Sequence, residues 1–273
     1  MKVILGIDVG GSTTKIVGLK ENGECVGMMK VEAADQVTSA FGAFGKFTAA
    51  HKMRIGDIKQ IVLTGVGAAY LNEGMYDIPT KRVNEFIAIG LGGLNLAKLN
   101  EAIIVSVGTG TALVKAERNG IYHIGGSGVG GGTLLKLCGR FAGASSFETI
   151  VDFAAQGDLS AVDLTIADIS REGIGGLPPT ATVSNFGNLK DHANAPDIVL
   201  GLINMIFESI GMMAVFATRN ENVRDVVLTG SLVTMEQASR VFDTLAKIHP
   251  VRFHVPPDAI YATAAGAALS EVT

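Results

Sequence analysis

Val3-Ile4-Leu5-Gly6-Ile7-Asp8-Val9-Gly10-Gly11-Ser12-Thr13-Thr14-Lys15-Ile16-Val17-Gly18-Leu19 runs apolar from Val3 to Val9, breaks into small residues, and turns apolar again from Lys15 to Leu19. An apolar run of that length closed by glycines predicts a buried strand, and the resumption predicts its antiparallel partner. Asn22-Gly23 is a hairpin signal of the primed-turn type, so Glu24 to Val31 is expected to be a third antiparallel strand.

The same design recurs downstream. Ala102 to Val107 is an apolar strand, Gly108-Thr109-Gly110-Thr111 a small-residue loop and Ala112 to Glu117 a strand, followed by Asn119-Gly120 and the strand Ile121 to Ile124. Two copies of strand, glycine-threonine turn, strand, Asn-Gly and strand point to two related lobes. Between the copies Asp35 can cap a helix to about His51, Gln60 to Leu63 reads as a buried strand and Val83 to Leu99 as a helix. After the second copy, helices are expected near Gly131 to Phe141, Ser146 to Ala155, Asp197 to Thr218, Val233 to Ile248 and Ala259 to Ser270, with strands at Asp225 to Thr229 and Val251 to Val255. This is a mixed α/β pattern. No Pro/Gly/Ser-rich linker separates the lobes, which are expected to meet near residue 100 as domains 1–100 and 101–273.

Apolar residues make up 48% of the 273 and charged ones 18%, enough for a sizeable core and against disorder. A net charge of -4 with no basic run argues against nucleic-acid or anionic-membrane partners and for small molecules. Cys25 and Cys138 are too few and too far apart for a disulfide scaffold or a zinc site, and no cleavable leader is recognisable, which predicts a cytoplasmic protein. Ile198 to Ala217 has about the length of a membrane span, but Glu208 lies near its middle with Asn204 and Ser209 close by, so it is read as a helix buried in the protein or at a subunit interface.

The 35 glycines are clustered at strand ends and helix starts. Turns without side chains let backbone N–H groups converge on phosphate oxygens, and neighbouring hydroxyls add donors. Gly10-Gly11-Ser12-Thr13, Gly108-Thr109-Gly110-Thr111 and Gly128-Val129-Gly130-Gly131-Gly132-Thr133 are candidates, the third at the positive end of a predicted helix. Any one of them alone reads as a tight turn; three, two of them in matching places of a repeat, point to a nucleotide. No G-x-x-x-x-G-K-[ST] occurs, and Gly126 to Gly131 fits G-x-G-x-x-G in the wrong context, after a hairpin strand in mid-chain. Asp8 can hold Mg2+ against phosphates or cap a turn, and Leu228-Thr229-Gly230-Ser231-Leu232 can contact the nucleoside or turn the chain.

Gly6-Ile7-Asp8-Val9-Gly10-Gly11-Ser12 resembles the first phosphate motif of the actin-like kinases, Val107-Gly108-Thr109-Gly110-Thr111 the second, and Leu228-Thr229-Gly230-Ser231 the adenosine motif. Asn84-Glu85-Phe86, Gly125 to Thr133, Ala154-Ala155-Gln156-Gly157-Asp158 and Ser184-Asn185-Phe186-Gly187-Asn188 resemble the type II pantothenate kinases, in order and over nearly the whole chain. The resemblance implies duplicated ribonuclease H-like lobes with ATP in the cleft between them, and a homodimer using ATP and Mg2+ to phosphorylate pantothenate to 4′-phosphopantothenate. It implies Glu85 as general base and substrate contact. Asp8, Gly10, Gly11, Ser12, Thr13, Lys15, Thr109 and Gly110 would meet the phosphates, with Asp8 also on the metal. Gly131, Gly132, Thr133, Leu134, Leu135, Phe147 and Ser231 would complete the nucleotide site, and His123 and Gly130 would contact the acceptor.

On its own, Glu85 reads as an ordinary first-turn glutamate, its pKa pushed up by burial and down by a helix N-terminus. His123 stands where the family commonly has Arg, and an imidazole is a poorer anchor for an anion than a guanidinium fork; from position alone it reads equally as a structural residue of a hairpin strand. A kinase of a pantetheine-like or sugar acceptor, or an ATP-driven activator module, are the alternatives.

Overall fold

The computed structural model describes residues 2–32, 35–71, 74–117, 119–172 and 174–272. The first lobe begins with β1 (Val3–Val9), β2 (Thr13–Lys20) and β3 (Cys25–Glu32), antiparallel as expected, then α1 (Gln36–Ala50), β4 (Ile58–Thr64) and β5 (Thr80–Arg82). β4 lies parallel to β1, and the sheet order is β3-β2-β1-β4-β5. The Asp35 side chain accepts from Thr38 N–H at the start of α1, satisfying one of the amides a helix leaves open.

Helix α2 (Glu85–Ala97) leads into the second copy: β6 (Glu101–Val107), β7 (Thr111–Glu117) and β8 (Gly120–Ser127), then α3 (Gly131–Ala142) and α4 (Phe147–Ala154). A small insertion follows with β9 (Leu164–Thr165), α5 (Ile166–Ile169) and β10 (Thr182–Ser184), before the long α6 (Ala195–Glu221), β11 (Asp225–Thr229), α7 (Glu236–Ile248), β12 (Arg252–His254) and α8 (Ala262–Leu269). The second sheet runs β12-β11-β6-β7-β8. Strand for strand this is the topology of the first, so the repeat in sequence is a repeat in space.

Each sheet buries both faces. One face of the first packs Leu5, Ile7, Val9 and Ile61 against Ala40, Ala43 and Phe47 of α1. In the second, Ile103, Val105 and Val107 meet Ile203, Phe207 and Ile210 of α6. The remaining faces are covered by two helices that cross the divide: Ala264, Ala265 and Ala268 of α8 lie on Ile4, Val17 and Val62, while Ile89 of α2 lies on Ile104, Val114 and Val227. The C-terminal helix therefore completes the core of the N-terminal sheet. Glycine makes the α2–α8 contact possible, since a Cβ on Gly92 would fall 1.8 Å from Ala262 O and one on Gly266 1.8 Å from Ala88 O.

The apolar helix expected at Ile198 to Ala217 is α6, and it is a core helix. Glu208 accepts from Thr182 Oγ1 at 2.7 Å and Asn185 Nδ2 at 2.9 Å, which ties the insertion to the helix. Three predicted helices have other bounds. Val83 N–H donates to Leu63 O, so it extends the strand edge, and α2 starts at Glu85 and ends at Ala97, capped by Lys98 in the left-handed conformation. Extended Met235 separates a 3-10 turn, Leu232–Thr234, from α7, and another 3-10 turn, Ala259–Tyr261, precedes α8.

Candidate active site

Four loops at the carboxyl ends of β1, β4, β6 and β11 meet where the lobes face each other. Gly10 N–H donates to Thr13 O at 3.0 Å, closing the β1–β2 turn with Gly11 and Ser12 exposed at its tip. Gly108 N–H closes the β6–β7 turn on Gly110 O at 2.9 Å, with Thr109 exposed. The turns face one another: a Cβ on Gly11 would project into the gap and meet Thr109 Oγ1 at 3.9 Å. Gly230 has φ +101 and lies so close to β6 that a Cβ would fall 2.2 Å from Val107 O, which sets Ser231 beside the second turn.

The third glycine cluster acts differently from the expectation. Gly131 N–H donates to Gly108 O at 2.8 Å and Gly132 N–H to Thr109 O at 2.9 Å, so these amides lock the second turn onto the start of α3 and are not free for an anion. Gly130 is buried, and a Cβ there would sit 2.8 Å from the Gly110 backbone. Thr111 Oγ1 donates to Val129 O and Thr133 Oγ1 to Gly128 O, which stiffens the same junction. Leu134 is a core side chain whose N–H bonds Gly130 O, and Leu135 packs partly against that core. Phe147 opens α4 with 41% of its surface exposed, and Ser231 is half-buried.

Asp8 is buried at the end of β1, directly opposite Lys15 on β2, and Lys15 Nζ lies 3.4 Å from its Oδ2. Burial pushes the Asp8 carboxyl up, against the pull of Lys15. Across the cleft edge, Asn84 caps α2 by accepting from Phe86 N–H and sets Glu85 at the first helical position. Burial and then the nearby Asp8 charge raise the Glu85 pKa, while Lys15 lowers it, so the three groups share one electrostatic environment. Burial, one of the two opposing effects expected from the sequence, sets the direction. The His123 ring stacks on Phe86, centroids 3.9 Å apart at 19°, which seats it on the rim beside Glu85.

Thr64 and Gly65, absent from the sequence-based site, belong to it. Thr64 pairs with Asp8, and Gly65, at φ +85, leaves room for the Asp8 carboxylate, since a Cβ there would sit 2.6 Å from Oδ1. The sequence did hold a signal: Val62-Leu63-Thr64-Gly65 repeats as Val227-Leu228-Thr229-Gly230.

Facing glycine turns, a buried carboxylate and a lysine between them suit a polyphosphate; a divalent cation there would take one carboxylate and draw its remaining ligands from phosphates and water. Among the described residues no group of three or more His, Cys, Asp or Glu forms a self-contained metal cage.

The chain is 26% identical over 247 residues to a type II pantothenate kinase of Bacillus cereus, covering 85% of this chain and 83% of that protein. It is 29% identical over 251 residues to a type II pantothenate kinase of Oceanobacillus iheyensis, covering 87% and 88%. In structure it matches the activator of the 2-hydroxyisocaproyl-CoA dehydratase from Clostridium difficile with bound ADPNP, at TM-score 0.70 and 18% identity over 99% of this chain and 94% of that one, which establishes the shared actin-like fold. The Fumble family model matches residues 96–249, from the end of α2 through α7 and over more than half of the chain, and the protein belongs to the Fumble family.

Proposed function

We propose that this protein is a type II pantothenate kinase, transferring the γ-phosphoryl group of ATP to the primary hydroxyl of pantothenate to give 4′-phosphopantothenate and ADP, the first step of coenzyme A biosynthesis. The observation that carries this reading is the placement of Glu85 at the first position of α2, within electrostatic reach of Asp8 and Lys15 beside the facing glycine turns, in a chain similar over 85% of its length to type II pantothenate kinases. Phosphoryl transfer asks a protein mainly to position its reactants and neutralise charge. Gly10, Gly11, Ser12, Thr13, Thr109 and Gly110 line the phosphate gap, Lys15 sets a positive charge at its floor, and Ser231 and Phe147 border the nucleoside end. Gly131, Gly132 and Thr133 hold the second turn in place. Asp8 is the residue to hold Mg2+, which when bound neutralises phosphate charge. Glu85 accepts the hydroxyl proton of the acceptor. His123, stacked beside Glu85, and the buried Gly130 border the acceptor.

The same reading makes the enzyme a cytoplasmic homodimer with lobes 1–100 and 101–273, the C-terminal helix returning to the first, and with no nucleic-acid or membrane partner. Exposed Phe216 on the long helix α6 is consistent with a subunit contact. The activator reading gains from the structural likeness, but Cys138 is buried in the second-lobe core and Cys25 lies on β3 of the first, so the two thiols do not form a pair poised to hold a shared cluster. ADP release by purified protein with Mg-ATP, compared across pantothenate, pantetheine, several sugars and no acceptor, with product mass determined, tests the assignment. Pantothenate-dependent ADP with phosphopantothenate is expected; stimulation by another acceptor alone would reassign the substrate.

A further inference from the structure

The Thr64 hydroxyl is a buried polar atom with no hydrogen-bond partner among the described residues; its residue is 1% exposed. Buried hydroxyls are satisfied in the great majority of cases, and each exception calls for a cause. The duplicated fold supplies a control. Thr229 holds the same place at the end of β11, in the same Val-Leu-Thr-Gly sequence, and pairs with Ser106 as Thr64 pairs with Asp8. There the hydroxyl donates to Val105 O, a long bond of 3.4 Å. The fold can therefore give this threonine a backbone acceptor, and in the first lobe it does not.

The difference lies opposite. Residues paired across strands share a face, so Thr64, Asp8 and Lys15 form one row across β4, β1 and β2. Val62, two residues before Thr64, shares that face and packs with Ala88 of α2, so the row ends beneath the helix that carries Glu85. The Asp8 carboxylate leans over Gly65 and, among the described side chains, is held by Lys15 alone, at 3.4 Å. A carboxylate accepts at four positions, so Asp8 has capacity left on the side of an unpaired donor.

We propose that Thr64 is a positioning residue for Asp8: its hydroxyl bonds the carboxylate, directly or through one water, when Mg2+ and nucleotide load the site, and so fixes which carboxylate oxygen faces the cation. The inference rests on the nucleotide-site reading above but is independent of the acceptor. A hydroxyl kept for loading contributes nothing to the empty fold, which separates this role from a structural one.

The test uses full-length protein, with ADP as the probe. Thr64→Val, nearly isosteric, is expected to melt without ligand at or above the wild-type temperature, because an unsatisfied buried hydroxyl is removed. Its affinity for ADP with Mg2+ should fall about tenfold, the scale of one bond to a charged group. More Mg2+ should be needed for half-maximal ADP binding, affinity in EDTA should equal wild type, and Thr64→Ser should restore the Mg2+ dependence. Wild-type Mg2+ dependence in Thr64→Val overturns the proposal, as does a lowered melting temperature or failure to fold, either of which makes the hydroxyl structural. Failure of the wild type itself to bind ADP would defeat the nucleotide-site reading instead.

Discussion

Glu85, the proposed general base, sits in a partly buried place that raises its pKa. A carboxyl whose pKa is raised on folding stabilises the protein only below its unfolded value, and that contribution is lost as pH rises through the folded value. At neutral pH the charged Glu85 therefore costs stability. Glu85→Gln is expected to melt higher at neutral pH by calorimetry, to bind ADP as wild type does, and to lose about 10²- to 10⁴-fold in kcat. Activity should fall on the acid side with an apparent pKa above the ordinary 4.5 of a glutamate, read from kcat/KM against pH. Asp225 has the opposite sign. Arg252 first, then His254, bind it and hold its carboxyl at about 2. Its contribution is present above the ordinary value of 3.8 and lost as pH falls toward 2, so Asp225→Asn should be less stable than wild type near neutrality, with the gap closing on acidification through that window.

Among the elements, α2 matters most, because one face holds the second sheet, its neighbour is α8 and its first residue is Glu85. The sequence places its start at Val83, but Val83 stays with the strand edge and Asn84 caps the helix one residue later. The sequence does not show why Gly92 and Gly266 are needed, since glycine inside a helix costs about 1 kcal/mol against alanine and reads as a weakness. Backbone contact between α2 and α8 supplies the reason. Gly266→Ala is expected to destabilise by about 3 kcal/mol, the upper range for overpacking, and to lower kcat by displacing Glu85; denaturant melts and initial rates would check both. The insertion with β9, α5 and β10 had no periodicity to announce it. It is held by tertiary bonds: Asp163 accepts from Phe186 N–H and Asn204, and Glu208 from Thr182 and Asn185.

At the scale of the molecule, two sheets of one topology present their loops to a common gap, so a ligand in it touches both lobes. Nucleotide with Mg2+ at a hundredfold excess over its Kd should stabilise the protein by about 2.7 kcal/mol, raising the melting temperature by roughly 5–10 °C in a thermal-shift experiment. Asp8→Asn should lose most of that gain while melting no lower than wild type without ligand, since burial of the charged form is then relieved.

What the sequence determined alone was whatever depends on near neighbours: the strand–turn–strand units, their repetition, the Asp35 cap and the glycine turns, because periodicity and turn chemistry are local. Tertiary structure decided how those parts share their bonds. It turned the Gly131 and Gly132 amides onto the second turn, sent the C-terminal helix back to the first sheet, and set the unpartnered Thr64 hydroxyl against Asp8. Each outcome depends on which donor meets which acceptor across a long stretch of chain, and no local pattern carries that information.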